Sequence, residues 1–280
     1  MRDAKRALVS WVVGREVVRR AASVLGRAGL PVLPLKGVWL QAFAYAADEP
    51  RAITDVDLLV PEDAFGRAVE ELERAGFQRR GGNVSEVSLA HPDFGLPVDL
   101  HKRLFTRGAF RLPTAELFAR SRRDRAAFGV DLYLPDPRDV FAHLIGHFVK
   151  SRTAQGDAVR LRDFVVMADR CAIDAADCAR HLHAAGMARA ARYVLHDVHA
   201  HAPRPFFRML LLTLPADPLG ERIARFARVM ERAPFARQRL MTLSGFALDA
   251  SLPAGARALV LRAWDQRYDQ LPARSPRERL

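Results

Sequence analysis

The 280 residues of this chain, 50% of them hydrophobic, exclude a minimal module and suit one large domain or two ordinary ones. A formal net charge of +12 favours attraction for polyanions such as nucleoside triphosphates. The basic residues are almost all arginines and are spread along the chain, so the charge alone is weak evidence for a specific nucleic-acid site.

The cysteine spacing and the hydropathy of the sequence indicate the cellular compartment. Cys171 and Cys178 are the only cysteines, and their spacing on a predicted helix fits neither a CxxC redox site nor a zinc site. Charged residues interrupt the N-terminal apolar stretch, so no signal-peptide core forms, and no apolar run is long enough to span a membrane. We therefore predict a cytoplasmic protein with reduced thiols.

The first half of the chain alternates between helical and extended patterns. Two glycines are typical of helix ends. Gly29 follows a stretch with helical spacing, and Gly76 follows an amphipathic stretch. A turn is predicted at Gly81-Gly82 and a loop at 91–95. The predicted helices are 4–28, 38–46 and 61–75, and the predicted extended segments are 32–35, 54–60, a piece opening at Phe77, 84–90, 96–100 and 130–134.

Beyond residue 136 the pattern becomes helical. Helices are predicted at 140–150, 159–171, 175–185 and 188–201, followed by a helix-rich stretch with proline breaks and a loose tail after Leu271. This change predicts an α/β domain at 1–136, with an N-terminal helix, and a helical domain at 137–280.

Carboxylates converge in the predicted sheet. Asp55 and Asp57 lie two residues apart on a predicted strand, so both side chains leave by the same face. Two carboxylates held this close resist joint ionisation unless a cation lies between them, and hard oxygen ligands suit Mg²⁺. Asp99 lies on a later strand, and Lys36-Gly37 forms a strand-to-helix turn upstream. Together these are the parts needed for metal-assisted phosphoryl chemistry.

These motifs, in this order and spacing, resemble the nucleotidyltransferase superfamily that includes DNA polymerase β. More closely, they resemble a bacterial family called uncharacterised nucleotidyltransferases, over roughly residues 30 to 170. The resemblance implies an α+β fold, with a small mixed β-sheet core, flanking helices and a mostly α-helical C-terminal half. The landmarks are Leu35-Lys36-Gly37, Tyr45, Arg51-x-x-x-Asp55-x-Asp57-Leu-Leu-Val, Gly76-Phe77, Val98-Asp99-Leu100-His101, His143, His147 and Asp163.

The resemblance also implies a reaction and its cofactors. Asp55 and Asp57 would bind two Mg²⁺ ions, for which Mn²⁺ can substitute, and Asp99 would complete one metal site and act as a base. A nucleoside monophosphate would pass from a nucleoside triphosphate such as ATP to an acceptor hydroxyl, with release of pyrophosphate. The acceptor is left open between a small molecule, a protein and an RNA.

The phosphate turn departs from the superfamily pattern, because Lys36-Gly37 replaces the usual Gly-Ser or Gly-Gly. Lys36 or Arg51 is then expected to supply positive charge to the triphosphate at this turn. The alternative for Lys36 is a surface lysine at a strand end. For Arg51 the alternative is a salt bridge to Asp48 or Asp55.

Three histidines and a further acid each have two expected roles. His101 shares a face with Asp99 and is expected either to touch a phosphate or to hold Asp99 in place. His143 and His147 have the spacing of a zinc helix but lack the glutamate of HExxH, so they are expected to line a cleft or to satisfy core hydrogen bonds. Asp163 is expected to bond one of these two histidines or to lie on a solvated face.

Two other functions stay open at this stage. The altered phosphate turn is compatible with a non-catalytic nucleotide-binding or interaction protein that retains the fold. The basic charge balance is compatible with a toxin-like transferase that acts on an RNA end such as that of tRNA.

Overall fold

The computed structural model describes residues 2–105, 108–150 and 157–231, together with two isolated helical positions at 256 and 261. The fold is α+β, as predicted, and all statements below concern these residues. The rest of the predicted helix-rich stretch beyond residue 231 and the predicted tail after Leu271 lie outside them.

The first helix, α1 (Arg2–Arg27), confirms the helix predicted at 4–28. Its second half buries a stripe at helical spacing that includes Val18, Ala22 and Leu25, each with no exposed surface. Gly29 follows with a φ of 71°, a left-handed conformation that glycine adopts without strain. The helix therefore ends where the sequence pattern placed its stop.

The central sheet has five strands in the order β1-β2-β5-β4-β3. The strands are β1 (Leu33–Pro34), β2 (Val56–Leu59), β3 (Gln78–Asn83), β4 (Glu86–Ala90) and β5 (Pro97–His101). Strands β2 and β5 run parallel, whereas the other neighbouring pairs are antiparallel. Strand β2 is buried along its whole length, as expected for a central strand.

The predicted turn at Gly81-Gly82 is wrong. Both glycines lie inside β3, beside a register shift between Arg79 and Gly81, and the chain reverses after Asn83 instead. Gly82 has a φ of 154°, and an added Cβ would lie 2.6 Å from the carbonyl oxygen of Glu86 on the neighbouring strand. The glycines thus allow close approach of the backbones at a bulge rather than a reversal.

Short elements flank this sheet. They are α2 (Lys36–Phe43), α3 (Phe65–Arg74), α4 (Thr114–Arg120) and a two-stranded sheet of β6 (Arg122–Asp124) and β7 (Leu132–Leu134). The helix α4 and strand β6 were not predicted. The backbone N–H of Tyr133 in β7 donates to the carbonyl of Val32 at 3.0 Å, which ties the small sheet to the region of β1.

The described residues of the second half, 137–150 and 157–231, are mainly helical, as predicted. Its helices are α5 (Pro137–Lys150), α6 (Asp157–Arg170), α7 (Ala175–Ala184), α8 (Ala188–His201), α9 (Pro205–Thr213) and α10 (Pro218–Glu231). One continuous cluster of buried side chains contains Leu58 of the sheet together with Phe141 and Phe164 of the helices. The domain boundary near residue 136 stays a prediction.

In the described part of the chain, the helices are all too short or too polar to cross a membrane.

Candidate functional site

Three carboxylates meet at the centre of the sheet. The parallel register places Asp57 of β2 directly beside Asp99 of β5, and Asp55 lies just before β2. One carboxylate oxygen from each of the three residues lies within 4.8 Å of the others. Strand alternation predicted that Asp55 and Asp57 leave by the same face, the later strand motif added Asp99, and the structure brings the three together.

The two carboxylates of the Asp-x-Asp pair have different electrostatic environments. Burial would raise the pKa of Asp57, which is 2% exposed, but the Lys36 ammonium and the His101 ring outweigh burial and hold it well below its ordinary value. The pKa of Asp55 is raised, first by burial and then by the neighbouring Asp57 charge. A bound cation would favour the ionised form of Asp55, which is the behaviour expected of a metal ligand.

Lys36 lies inside this site and is not a surface lysine. Its Nζ donates to Oδ1 of Asp57 at 2.6 Å. The residue has a φ of 42°, which is unusual for a side chain other than glycine. Such conformations cluster at ligand sites, where surrounding structure holds them in place. The backbone N–H of Leu35 also donates to the carbonyl of Asp57, at 2.9 Å, so the turn is bonded directly to β2.

His101 holds Asp57 and not Asp99, so that part of the sequence interpretation is wrong. Its Nε2 lies 2.8 Å from Oδ1 of Asp57, and its Nδ1 lies 3.2 Å from Oε2 of Glu86. Both partners are acceptors, so both ring nitrogens donate and the ring carries a charge. Burial opposes that charge, but the two carboxylates outweigh it and raise the pKa of His101. The hydrogen bond to His101 in turn lowers the pKa of Glu86 to about 2.

Sequence reasoning missed Glu86, although a signal was present. Glu86 is the first residue of β4, and the antiparallel pairing of β4 with β5 places it opposite His101. The predicted loop at 91–95 separates two predicted extended segments. Treating these segments as a hairpin would have placed the two side chains side by side.

The donor set at the three carboxylates fits a divalent cation of the Mg²⁺ type. Among the described residues, Lys36 and His101 both bond to Oδ1 of Asp57, and one carboxylate oxygen of Asp57 lies within 4.8 Å of oxygens of Asp55 and Asp99. These ligands are all hard oxygens. In the described part of the chain, no other group of three or more candidate metal ligands lies close enough together, and neither His143 nor His147 belongs to one.

Arg51 pairs with Asp163, so the alternative of a salt bridge to Asp48 or Asp55 and the expected partners of Asp163 are wrong, while the triphosphate role of Arg51 stays a prediction. The guanidinium Nε and Nη2 donate to Oδ1 and Oδ2 of Asp163 at 2.8 and 3.0 Å. The hydroxyl of Tyr45 also donates to Oδ1 of Asp163, at 2.8 Å. This bonded group joins the segment before β2 to helix α6.

His143 and His147 lie on α5, close enough to Lys36 and Asp57 to feel their charges. His143 is 4% exposed, and its Nδ1 has no hydrogen-bond partner among the described residues. The two rings pack edge to face, with their centroids 6.4 Å apart. Burial lowers the pKa of His143 well below its ordinary value and that of His147 to about 3. Both side chains are therefore neutral. The expectation that these histidines satisfy core hydrogen bonds is wrong for Nδ1 of His143, and the expectation that they line a cleft stays a prediction.

Comparison with protein families identifies the lineage. The family described as "Uncharacterised nucleotidyltransferase" matches residues 15–203, which is more than half of the chain. The chain belongs to this nucleotidyltransferase family. The match confirms the resemblance drawn from the motifs, and it makes the protein a transferase enzyme.

Similar solved structures are distant. The solution structure of the antibiotic-resistance factor ANT(2'')-Ia has 12% identity and a TM-score of 0.47, covering 67% of this chain and 96% of its own. The lincosamide antibiotic adenylyltransferase LnuA, bound to lincomycin, has 10% identity and a TM-score of 0.37, covering 51% and 90%. JHP933 from Helicobacter pylori has 11% identity and a TM-score of 0.37, covering 92% and 94%. No curated protein matches the chain.

Proposed function

We propose that this nucleotidyltransferase uses Mg²⁺ to move a nucleoside monophosphate from a nucleoside triphosphate to an acceptor hydroxyl. The observation that carries the proposal is the convergence of Asp55, Asp57 and Asp99 within 4.8 Å. These three residues would hold the ions. Bound Mg²⁺ would neutralise the reacting phosphate and the leaving pyrophosphate.

The chain's own residues prepare the site for this reaction. Lys36 and His101 keep Asp57 ionised despite its burial. The proposed base, Asp99, takes the proton of the acceptor hydroxyl while the acceptor oxygen forms a bond to the α-phosphorus. The bond from the α-phosphorus to the bridging oxygen breaks, and pyrophosphate leaves with that electron pair. Lys36, beside the same carboxylates, supplies positive charge toward the triphosphate.

The donor half of the site is testable without knowing the acceptor. Mn²⁺ binding can be followed by electron paramagnetic resonance, with and without an α,β-methylene analogue of each nucleoside triphosphate. We expect metal-dependent analogue binding by the wild-type protein and its loss in Asp55→Asn and Asp57→Asn, because each change removes a charged oxygen ligand. Circular dichroism checks that the variants fold.

A matched control comes from an exposed acid on α6. Asp169 forms a fork with Arg204, with Nε–Oδ1 and Nη2–Oδ2 distances of 2.8 and 3.0 Å, and Asp169→Asn should bind Mn²⁺ and analogue normally. If folded Asp55→Asn and Asp57→Asn bind metal and analogue as the wild type does, the proposed site is wrong. Tight metal-independent binding by the wild type with no transfer product would instead support a non-catalytic nucleotide-binding protein.

A further inference from the structure

The fork between Arg51 and Asp163 is buried and spans the two halves of the chain. Both guanidinium–carboxylate bonds are short, at 2.8 and 3.0 Å, and Asp163 is 2% exposed. Tyr45, itself buried, adds a third donor to the same carboxylate. The guanidinium makes two bonds to one carboxylate, and that carboxylate is itself restrained by Tyr45. The guanidinium therefore has little freedom to rotate.

The third nitrogen of Arg51 lies at the turn that the proposed function assigns to the triphosphate. Nη1 donates to the carbonyl of Ala52 at 3.2 Å. It also lies so close to Gly37 that a Cβ on that residue would be 2.7 Å away. Gly37 is in the first turn of α2, where unpaired backbone N–H groups and the helix dipole favour an anion. The glycine therefore makes room for a guanidinium beside a helix N-terminus.

A guanidinium at such a turn needs a counter-charge and a partner that fixes its orientation. Arginine carries a flexible side chain, and burying its charge without a partner is costly. Asp163 bonds the side of the guanidinium that faces α6, where it supplies the counter-charge and fixes the orientation of the group. The edge that carries Nη1 remains directed at Gly37. A group fixed in this way avoids the ordering cost of recruiting a mobile side chain when the ligand binds.

We infer that Asp163, supported by Tyr45, is a positioning residue of the helical half that holds Arg51 against the Gly37 turn for the triphosphate. This inference rests on the proposed function and extends it. Asp163 does not touch the nucleotide but acts through Arg51. The donor site in the sheet is therefore completed by a residue of α6, which lies 112 positions further along the chain.

The first test separates donor binding from turnover. Asp163→Asn keeps the shape of the side chain and removes its charge, so we expect the nucleotide analogue to bind about tenfold more weakly with Mn²⁺ present. Once an acceptor is known, KM for the triphosphate should rise and kcat should change little. Asp139→Asn is the control, because the Asp139 carboxylate is as buried as that of Asp163 and forms a fork with Arg120, at 3.0 and 2.9 Å, and this variant should keep wild-type analogue affinity.

A double-mutant cycle shows whether Asp163 acts through Arg51. Arg51→Met should weaken analogue binding, and adding Asp163→Leu should restore stability, because an apolar pair replaces a lone buried carboxylate. The double variant should nevertheless bind the analogue as weakly as Arg51→Met alone. This variant also carries the test if Asp163→Asn does not fold.

The outcomes distinguish this inference from the proposed function. Wild-type protein that binds no analogue would overturn both. If the wild type binds but folded Asp163→Asn binds equally well, only the positioning role is overturned. The same holds if the folded double variant regains wild-type affinity, because the fork would then be structural.

Discussion

Two buried histidines near the same carboxylates have opposite charge states. His101 on β5 lies between Asp57 and Glu86, and its pKa is raised. Nδ1 of His143 on α5 has no hydrogen-bond partner within the described ranges, and the pKa of this ring is lowered. Both rings are nearly inaccessible, at 8% and 4% exposure. Burial disfavours the charge of both rings, and only the two carboxylate partners of His101 overcome it.

The difference separates two kinds of contribution to the site. His101 and Lys36 are built-in cations that allow Asp57 to stay ionised without a metal. His143 and His147 form a neutral wall, and their low pKa values prevent that wall from gaining charge at neutral pH. The comparison predicts different responses to the same substitutions and to acid.

The largest expected effect is on stability. His101→Leu leaves the Glu86 carboxylate without its ring partner and Asp57 with only Lys36, so the free energy of unfolding should fall by about 3 kcal/mol. His143→Leu removes a buried nitrogen that lacks a partner, so it should change stability by less than about 1 kcal/mol or raise it. Urea unfolding at pH 7 measures both. Equal losses of unfolding free energy in the two variants would contradict the proposed difference between the charged His101 and the neutral His143.

The next effect is acid sensitivity. The pKa of His147 is about 3 in the folded protein, below its ordinary 6.5, so between these pH values only the unfolded chain takes up the proton. Folding is therefore weakened as the pH falls through this window, by up to about 1.4 kcal/mol per pH unit. The pKa of Glu86 is lowered to about 2 from 4.5, so its contribution is retained above pH 4.5.

Urea unfolding between pH 6 and 4.5 isolates the histidine contribution. The raised pKa of His101 means that its stabilisation is fully present below 6.5 and is lost only as the pH rises through its folded pKa. We expect His147→Leu to flatten the slope of stability against pH. An unchanged slope would show that His147 is protonated in the folded state.

A third test concerns the cation beside the metal ligands. Lys36 Nζ lies 2.6 Å from Asp57, so it repels a metal ion but attracts a triphosphate. Lys36→Met should raise the affinity for Mn²⁺ alone and lower the affinity for the nucleotide analogue, each by about tenfold. Electron paramagnetic resonance measures the first and calorimetry the second. Changes of the same sign for both ligands would mean that Lys36 is not a counter-ion of Asp57.

The smallest effect should come from Glu86→Gln. The amide oxygen can still accept from Nδ1 of His101, but the charge is gone, so the pKa of His101 should fall and stability at pH 7 should drop by less than about 1 kcal/mol. Nuclear magnetic resonance titration of the His101 ring reports the pKa. As a control, Glu73→Gln breaks only a surface pair with Arg79 and should leave that titration unchanged.

The fold could be predicted largely because its elements are locally encoded. Helical spacing predicted α1 and α5 to α8, and alternation predicted that Asp55 and Asp57 share a face, while the later strand motif added Asp99. The error at Gly81-Gly82 arose because a glycine pair is equally compatible with a turn and with a bulge, and only the neighbouring strand decides between them.

Partners across the sheet and between halves could not be predicted in the same way. Glu86 meets His101 through the register of β4 and β5, which the sequence indicates only if the two segments are taken as a hairpin. Asp163 meets Arg51 once α6 packs against α2, which no local pattern indicates. The sequence shows that such side chains are ionisable but not which ions they meet. Residue chemistry was therefore easier to predict than residue partnership.

The bonded group of Arg51, Tyr45 and Asp163 limits how freely the two halves can be recombined. A chimera that joins this donor half to another helical half would inherit a buried guanidinium whose counter-charge was left behind. Such an exchange should succeed only when the incoming half carries a carboxylate at the place of Asp163. One acidic residue on α6 thus sets a compatibility rule between the part of the enzyme proposed to bind the nucleotide and the rest of the chain.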